Sequence, residues 1–196
     1  VRKFIAIGLN YADHAAESGM PVPSEPVVFN KWTSCIVGPD DDIRIPQGST
    51  KTDWEVELAV IIGTKATCVS EERAMDHVVG YAVGNDVSER EWQIERGGTW
   101  DKGKGYDGFG PIGPWLVTTD EIADPQALDL WLDVDGERRQ TGSTATMIFG
   151  VAPAIAPIIG GWLRRVETTD TRTPCRCSAA TSGRKSPSPE NSTAWS

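Results

Sequence analysis

Short apolar runs separated by Gly- and Pro-containing turns alternate along residues 1 to about 163. Runs of this kind, rich in β-branched and aromatic residues, are typical of strands. The predicted strands are KFIAIGL (3–9), VVFNKW (27–32), ELAVIIG (57–63), VVGYAVGND (78–86), GPWLVTT (113–119) and LDLWLDVDG (128–136). The last run ends in Asp135-Gly136, which predicts a hairpin turn. The pattern as a whole favours a mixed, β-rich α+β sheet over a regular βαβ array.

Two short segments carry helix signals. NYADHAAESG (10–19) contains alanines, with Asn10 as its N-cap and Gly19 as its stop signal. SEERAMDHVV (70–79) begins with Ser70 as a cap, followed by acidic residues in the first turn. We therefore expect one short helix near the N-terminus and a second before the fourth strand.

The composition changes after about residue 164. The segment from 164 to 196 holds twelve Ser or Thr, three Pro and almost no large apolar side chains. Such a segment cannot bury enough apolar surface to pack. Composition alone thus predicts a folded domain over residues 1–163 and a disordered tail over residues 164–196.

The chain is acidic, with a formal net charge of −9. Without the six basic and three acidic residues of the tail, the charge on residues 1–163 is −12. This charge argues against nucleic acid or an anionic membrane as a general partner. The apolar segment 150–163 is shorter than the ~20 residues of a membrane span, so we expect it in the core. Four cysteines do not indicate a disulfide framework, which makes the cytoplasm the expected location.

Two glutamates open the strand that follows residue 54. Glu55 and Glu57 project from one face, about 6.6 Å apart, and Asp86 ends the next apolar run. Three converging carboxylates make a hard, oxygen-rich site suited to magnesium, manganese or calcium. The alternative is a half-exposed strand with outward polar residues, but apolar residues fill both faces beyond Glu57, which predicts a strand buried on both sides.

His14 and Glu17 lie three residues apart on the first predicted helix and so share one face. A histidine can act as a general base near neutral pH, and a carboxylate at this spacing can orient the ring. The alternative is a solvated surface pair, which is common on helices. Because this helix spans only about two turns, it can also act as a lid that a ligand orders.

Two overlapping Gly-rich stretches are similar to phosphate-binding loops: GTWDKGKG (98–105) and GKGYDG (103–108). Both motifs require a helix after the loop, and Pro111 and Pro114 exclude one at that point. The better interpretation is a flexible loop that presents Lys104.

Six stretches together resemble the fumarylacetoacetate hydrolase family, in the family's order. They are GLNYADHAAE, EPVVFNKWTSCIVGP, DWEVELAVIIG, GYAVGNDVSEREWQ, WDKGKGYDGFGPIGPWLVT and RQTGSTATMIFG. The nearest likeness is to the bacterial branch of ureidoglycolate lyases and 2,4-diketo-3-deoxy-sugar-acid hydrolases. The resemblance implies a rolled mixed sheet with a short N-terminal lid helix, a homodimer, and bound Mg²⁺ or Mn²⁺.

By position, the resemblance makes Glu55, Glu57 and Asp86 the metal ligands. The other implied site residues are the catalytic His14, Glu17 and Lys104 and the substrate-binding Arg90, Gln93 and Thr144. Lys31 lies in the family's F-x-K segment, with a less defined role.

The implied reaction is hydrolysis or lyase cleavage of a small anionic 2-oxo acid. The alternatives are an oxo-acid isomerase, a decarboxylase, or an inactive fragment, because the family's closing C-terminal strands have no counterpart in residues 164–196. The run PCRC (174–177), read one nucleotide later, can encode the family's Pro-Ala-Gly-Val. This favours the hypothesis that the tail is translated out of frame.

Overall fold

The computed structural model describes residues 1–159, which form short strands joined by loops and by helices of at most two turns. The strands are β1 (Phe4–Gly8), β2 (Val27–Lys31), β3 (Ile36–Val37), β4 (Thr52–Asp53), β5 (Val56–Ile62), β6 (Val78–Asn85), β7 (Ser88–Glu89), β8 (Gly110–Thr118), β9 (Asp129–Val134) and β10 (Glu137–Ser143). The α-helices are α1 (Ala12–Ser18), α2 (Glu71–Ala74), α3 (Trp100–Lys104) and α4 (Val151–Pro157). A π-helix spans Glu91–Glu95, and single 3₁₀ turns span Thr33–Cys35, Met75–His77 and Thr144–Thr146. This strand-rich α+β architecture confirms the predicted fold class.

The largest sheet has four strands in the order β3-β8-β6-β5. It is mixed, because β3 runs parallel to β8 while the other two pairs are antiparallel. The pairs β1-β2, β4-β7 and β9-β10 are antiparallel ribbons. In the β5-β6 pair, Val56 faces Asn85 and Glu57 faces Gly84. This register brings the start of β5 beside the end of β6, so Glu55 and Asp86 are neighbours across the pair.

All six predicted strands are present, with ends shifted by a few residues. The pattern missed β3, β4 and β7, which have two residues each, and β10, whose sequence ERRQTGS is mostly polar. The hairpin between β9 and β10 turns at Asp135 and Gly136, as predicted, with φ of 53° and 79°. Positive φ at both positions is the geometry that two-residue hairpins require.

The first predicted helix is present as α1, and Gly19 ends it in the left-handed conformation with φ of 66°. The predicted N-cap was wrong, because Tyr11 occupies that position. Asn10 instead forms a two-point contact with Phe149: its Nδ2 donates to the carbonyl oxygen and its Oδ1 accepts from the backbone N–H, both at 2.9 Å. The second predicted helix is present as α2, which is shorter than predicted and has Ser70 as its N-cap, as predicted.

The segment before Lys104 is helical, so the prediction of a flexible loop was wrong. Helix α3 ends at Lys104, and the strand β8 follows it, which removes the context that a phosphate-binding loop needs. Gly103 packs directly on the π-helix, since a Cβ at this position would lie 2.4 Å from the backbone nitrogen of Gln93. This close approach fixes α3 and buries Lys104.

Strand β5 is less buried than the sequence predicts. Within residues 1–159 it lies at the edge of the four-stranded sheet; Val56 is buried, but Ile62 is 40% exposed. The prediction of a strand buried on both faces was therefore wrong for this part of the chain.

Helix α4 supplies the buried residues Val151, Ala154 and Ala156 to the core, as expected. No helix among the described residues is long and apolar enough to cross a membrane. The domain boundary at residue 163 and the predicted tail lie outside the described residues.

Candidate active site

Lys104 is the centre of a buried polar cluster. Its Nζ donates to Glu55 Oε2 at 2.7 Å, to Ser88 Oγ at 2.8 Å and to Asp86 Oδ2 at 2.9 Å. Only 2% of the residue is exposed. An ammonium group has three N–H donors, so these contacts satisfy all of them. The last residue of α3 is thus tied to the start of β5 and to the segment that follows β6.

A second lysine pairs with the other oxygen of Asp86. Lys31, at the end of β2, places its Nζ 2.5 Å from Asp86 Oδ1 and also donates to the backbone oxygens of Val87 and Lys104. Burial lowers the pKa of Lys31, although Asp86 opposes this effect. Burial alone would raise the pKa of Asp86, but the two lysines outweigh it and hold that pKa below its usual value.

Arg90 forms the outer side of the cluster. One guanidinium nitrogen lies 2.6 Å from Glu55 Oε1 and 2.7 Å from Asp53 Oδ2, and another donates to Gln93 Oε1 at 3.0 Å. Burial would lower the pKa of Arg90, but Glu55 and Asp53 raise it above its usual value. The guanidinium is therefore fixed between a strand and the π-helix.

Glu57 is a carboxyl group of the cluster whose pKa is raised. Burial raises its pKa to about 8, and the negative charges of Glu55 and Asp86 add to this shift. Its Oε2 accepts a hydrogen bond of 3.2 Å from the hydroxyl of Tyr11. The charge of Lys104 opposes this shift.

The donor set suits a hard divalent cation, since it consists of three carboxylates. The arrangement of these carboxylates, however, is not that of a metal site. Residues 1–159 contain no group of three His, Cys, Asp or Glu side chains that is placed to hold a metal ion. In this structure Lys104, Lys31 and Arg90 contact the oxygens of Glu55 and Asp86 instead. The predicted ligand set therefore fits Mg²⁺ or Mn²⁺ by chemistry, and its role stays a prediction.

Helix α1 carries His14 and Glu17 on its exposed surface. No hydrogen bond joins these two side chains in the described part of the chain. The helix begins directly after Tyr11, whose hydroxyl binds Glu57. The catalytic role of His14 and Glu17 stays a prediction.

Thr144 is fully buried and binds the start of β9: its Oγ1 accepts a 2.9 Å hydrogen bond from the N–H of Leu128. Gln126 Nε2 donates to the carbonyl oxygen of Thr144 at 3.0 Å. These contacts give Thr144 a structural part in the fold. Its contact with substrate stays a prediction.

Three residues of the cluster escaped the sequence analysis. Asp53 binds Arg90, Ser88 binds Lys104, and Tyr11 binds Glu57. Asp53 continues the alternation of Glu55 and Glu57 by one more step, so its position on the same face was readable from spacing. Ser88 and Tyr11 gave no such signal, because their contacts depend on the tertiary arrangement.

Comparison with known proteins places this arrangement in a family. The sequence pattern of "Fumarylacetoacetate (FAA) hydrolase C-terminal" matches residues 3–160. A relative from Burkholderia cenocepacia, named "Putative hydrolase", is 72% identical over 156 residues, which are 80% of this chain and 55% of the relative. The chain thus spans about half the length of such relatives.

Two solved structures have the same fold. A fumarylacetoacetate hydrolase family protein from Yersinia pestis matches with a TM-score of 0.76 and 36% identity, over 81% of this chain and 74% of that one. The 2-hydroxyhepta-2,4-diene-1,7-dioate isomerase of Mycobacterium marinum matches with a TM-score of 0.71 and 37% identity, over 81% and 57% of the two chains. Since the family pattern covers most of its length, this chain belongs to the fumarylacetoacetate hydrolase family.

Proposed function

We propose that this chain carries the metal- and substrate-binding residues of a divalent-metal-dependent hydrolase or lyase that acts on a small 2-oxo acid. The observation that carries the proposal is the buried cluster in which Glu55 and Asp86 meet Lys104 and Arg90. Carboxylates suit a hard cation, and the basic groups suit the anionic substrate. The reaction is acylpyruvate-type hydrolysis of a C–C bond or cleavage of ureidoglycolate.

Glu55, Glu57 and Asp86 would hold Mg²⁺ or Mn²⁺, which acts as a Lewis acid on a 2-oxo group when bound. The chain's own residues would bind and orient the substrate. Arg90 binds a carboxylate in a fixed orientation, because Asp53 and Gln93 hold its guanidinium on either side. This preorganisation favours binding in one geometry.

Lys104 is proposed to neutralise negative charge that develops on the substrate as the bond breaks. His14, oriented by Glu17, removes a proton from water at the edge of the cluster, and Thr144 contributes a substrate contact. General-base catalysis of this kind typically accounts for about 10²–10⁴ in rate. Support for the roles of His14, Glu17 and Thr144 comes from the family resemblance.

A second candidate is an isomerase or decarboxylase of the same family. It is favoured by the match to the Mycobacterium marinum isomerase, which shares the fold at 37% identity. A third candidate, an inactive fragment, is favoured by the 55% coverage of the relatives. The ureidoglycolate and diketo-sugar branch, the homodimer and the cytoplasmic location are also proposals, and they rest on the family resemblance and on composition.

Turnover of an acylpyruvate, ureidoglycolate and oxaloacetate, with Mg²⁺, Mn²⁺ or EDTA, separates the first two candidates. We expect metal-dependent cleavage of one substrate and a loss of at least about 100-fold in Glu55→Ala. The matched control is Glu25→Ala, which removes an exposed glutamate and should keep full activity. Metal-dependent turnover that survives in Glu55→Ala would contradict the assignment.

The fragment hypothesis needs a measurement other than turnover. A ligand that binds only the native chain raises the midpoint of thermal unfolding. We expect Mn²⁺ to raise the midpoint of the wild type and to leave that of Glu55→Ala unchanged. A wild-type midpoint that rises without any turnover would favour the inactive fragment.

A further inference from the structure

Glu89 is a fully buried carboxyl group that none of the roles above uses. It ends the two-residue strand β7. Its Oε2 accepts a hydrogen bond of 3.1 Å from the backbone N–H of Trp92. Its Oε1 is also buried, and no group in residues 1–159 donates a hydrogen bond to it. A buried polar atom without a partner costs free energy, so stability alone does not account for a glutamate at this position.

The hydrogen bond of Glu89 lies at the start of the π-helix. The first N–H groups of a helix have no partner inside it, and Trp92 is the second residue of this one. The carboxylate therefore takes the place of a missing backbone acceptor. The residue between them, Arg90, is held at its own N–H, which donates to the carbonyl oxygen of Lys51 at 2.9 Å. The chain is thus fixed at two successive points where it enters the π-helix.

This entry carries two of the proposed substrate-binding residues. Arg90 directly follows Glu89, and Gln93 directly follows Trp92. The guanidinium of Arg90 is held by Gln93 on one side and by Asp53 on the other. Because Asp53 lies on β4 and Gln93 on the π-helix, both contacts persist only while the first turn of the π-helix keeps its place relative to β4. Glu89 fixes that place, since β7 pairs with β4.

We propose that Glu89 is a positioning residue whose carboxylate oxygen fixes the first turn of the π-helix and, through it, the guanidinium of Arg90. This inference rests on the substrate-binding role of Arg90 proposed above. Since Oε1 has no partner, the role requires one acceptor oxygen beside Trp92 and not the charge of the whole group. Without that oxygen, the turn that carries Gln93 moves away from β4, and Arg90 keeps only its contacts with the carboxylates.

The test follows hydrogen exchange of arginine side chains in the ¹⁵N-labelled full chain by NMR. The Nε–H of Arg90 donates to Asp53 at 2.9 Å and should exchange slowly, and its signal is identified by its loss in Arg90→Lys. Glu89→Gln keeps an acceptor oxygen, whereas Glu89→Met has nearly the same length and no acceptor. Because the guanidinium loses one of its holds, Glu89→Met should raise this exchange rate at least about fivefold, and Glu89→Gln less than about twofold.

Two controls separate positioning from a general loss of stability. Glu91→Met removes a carboxylate of the same π-helix that binds Arg96, and it should leave the rate at Arg90 within about twofold of wild type. The Nε–H of Arg138, which donates to a carboxylate of the β9–β10 hairpin, should change as little in every variant. An unchanged rate at Arg90 in Glu89→Met refutes the inference. An equal rise in Glu89→Gln, in Glu91→Met or at Arg138 refutes it as well.

A second variant guards against misfolding of the first. Glu89→Asp keeps the charge but shortens the side chain, which withdraws the oxygen from Trp92, so it should raise the rate at Arg90 as Glu89→Met does. Circular dichroism checks that both variants fold. Loss of the native spectrum in both would show that Glu89 serves folding itself and would overturn the positioning role.

Turnover separates this inference from the proposed function. With whichever of the three substrates the wild type cleaves, Glu89→Met should raise KM at least about fivefold and change kcat less than about twofold, because Arg90 binds the carboxylate equally before and during the reaction. An unchanged KM would overturn the inference and leave the function standing. Absence of turnover in the wild type refutes the function, while the exchange rate at Arg90 still decides whether Glu89 positions the guanidinium.

Discussion

The raised pKa of the half-buried Glu57 predicts that the metal-free protein becomes less stable as pH rises. Burial, reinforced by Glu55 and Asp86, raises the pKa of Glu57 from its ordinary value of 4.5 to about 8. Between these two values the folded chain keeps a proton that the unfolded chain has lost. The folded state therefore binds more protons in this window, and the free energy of unfolding must fall as pH increases.

The size of the effect follows from the shift. About 3.5 pH units at 1.36 kcal/mol per unit correspond to a loss of about 5 kcal/mol over the whole window. About 3 kcal/mol of this loss falls between about pH 5.5 and pH 8. A typical domain has only about 5–15 kcal/mol of stability in total, so the effect is large enough to measure by chemical denaturation.

The assay compares wild type with Glu57→Gln in EDTA, from about pH 5.5 to about pH 9. Glutamine keeps the shape of the side chain and stays neutral, so the stability of the variant relative to wild type should rise by about 3 kcal/mol across this range. The control is Glu25→Gln, which neutralises an exposed glutamate outside the cluster and should show no such rising trend. A constant difference between Glu57→Gln and wild type would refute the reasoning.

Two further substitutions test the packing that positions the site, both read out by chemical denaturation. Gly103→Ala puts a Cβ 2.4 Å from the backbone nitrogen of Gln93 and should lower the free energy of unfolding by roughly 1–3 kcal/mol. The control Gly142→Ala, whose Cβ would have no atom within 4 Å, should lower it by less than about 0.5 kcal/mol. Equal losses in the two variants would contradict the close contact. Asn10→Ala removes both hydrogen bonds to Phe149 and should lower the free energy of unfolding by roughly 1–3 kcal/mol. An unchanged free energy of unfolding would show that this two-point contact adds no stability.

Six strands were readable from the sequence because each is an apolar run that ends at a turn. The strands that were missed lack this signal: β3, β4 and β7 are two residues long, and β10 is mostly polar. The helical state of α3 was not predictable from spacing, because its five residues include a glycine and a single apolar side chain, so they show no helical period. It forms where Gly103 meets the π-helix, a contact between segments separate in sequence.

The carboxylates of the site were predictable for a different reason. Glu55 directly precedes β5 and Asp86 directly follows β6, and an antiparallel pairing of adjacent strands brings such positions together. The basic partners could not be placed in this way. Lys31 comes from β2 and Lys104 from α3, and neither element belongs to the sheet that carries Glu55. Only the family resemblance indicated Lys104 as part of the site.

The acidic charge of the chain raises the question of how an anionic substrate is attracted. Arg90 and Lys104 are the basic groups expected to do so, but each is already paired with Glu55. A paired cation presents little net positive charge to a second anion, because the carboxylate at close range offsets it. The attraction can develop only when another cation neutralises Glu55. If the site works as proposed, substrate affinity therefore depends on the divalent metal even for those parts of the substrate that contact Arg90 and Lys104 alone.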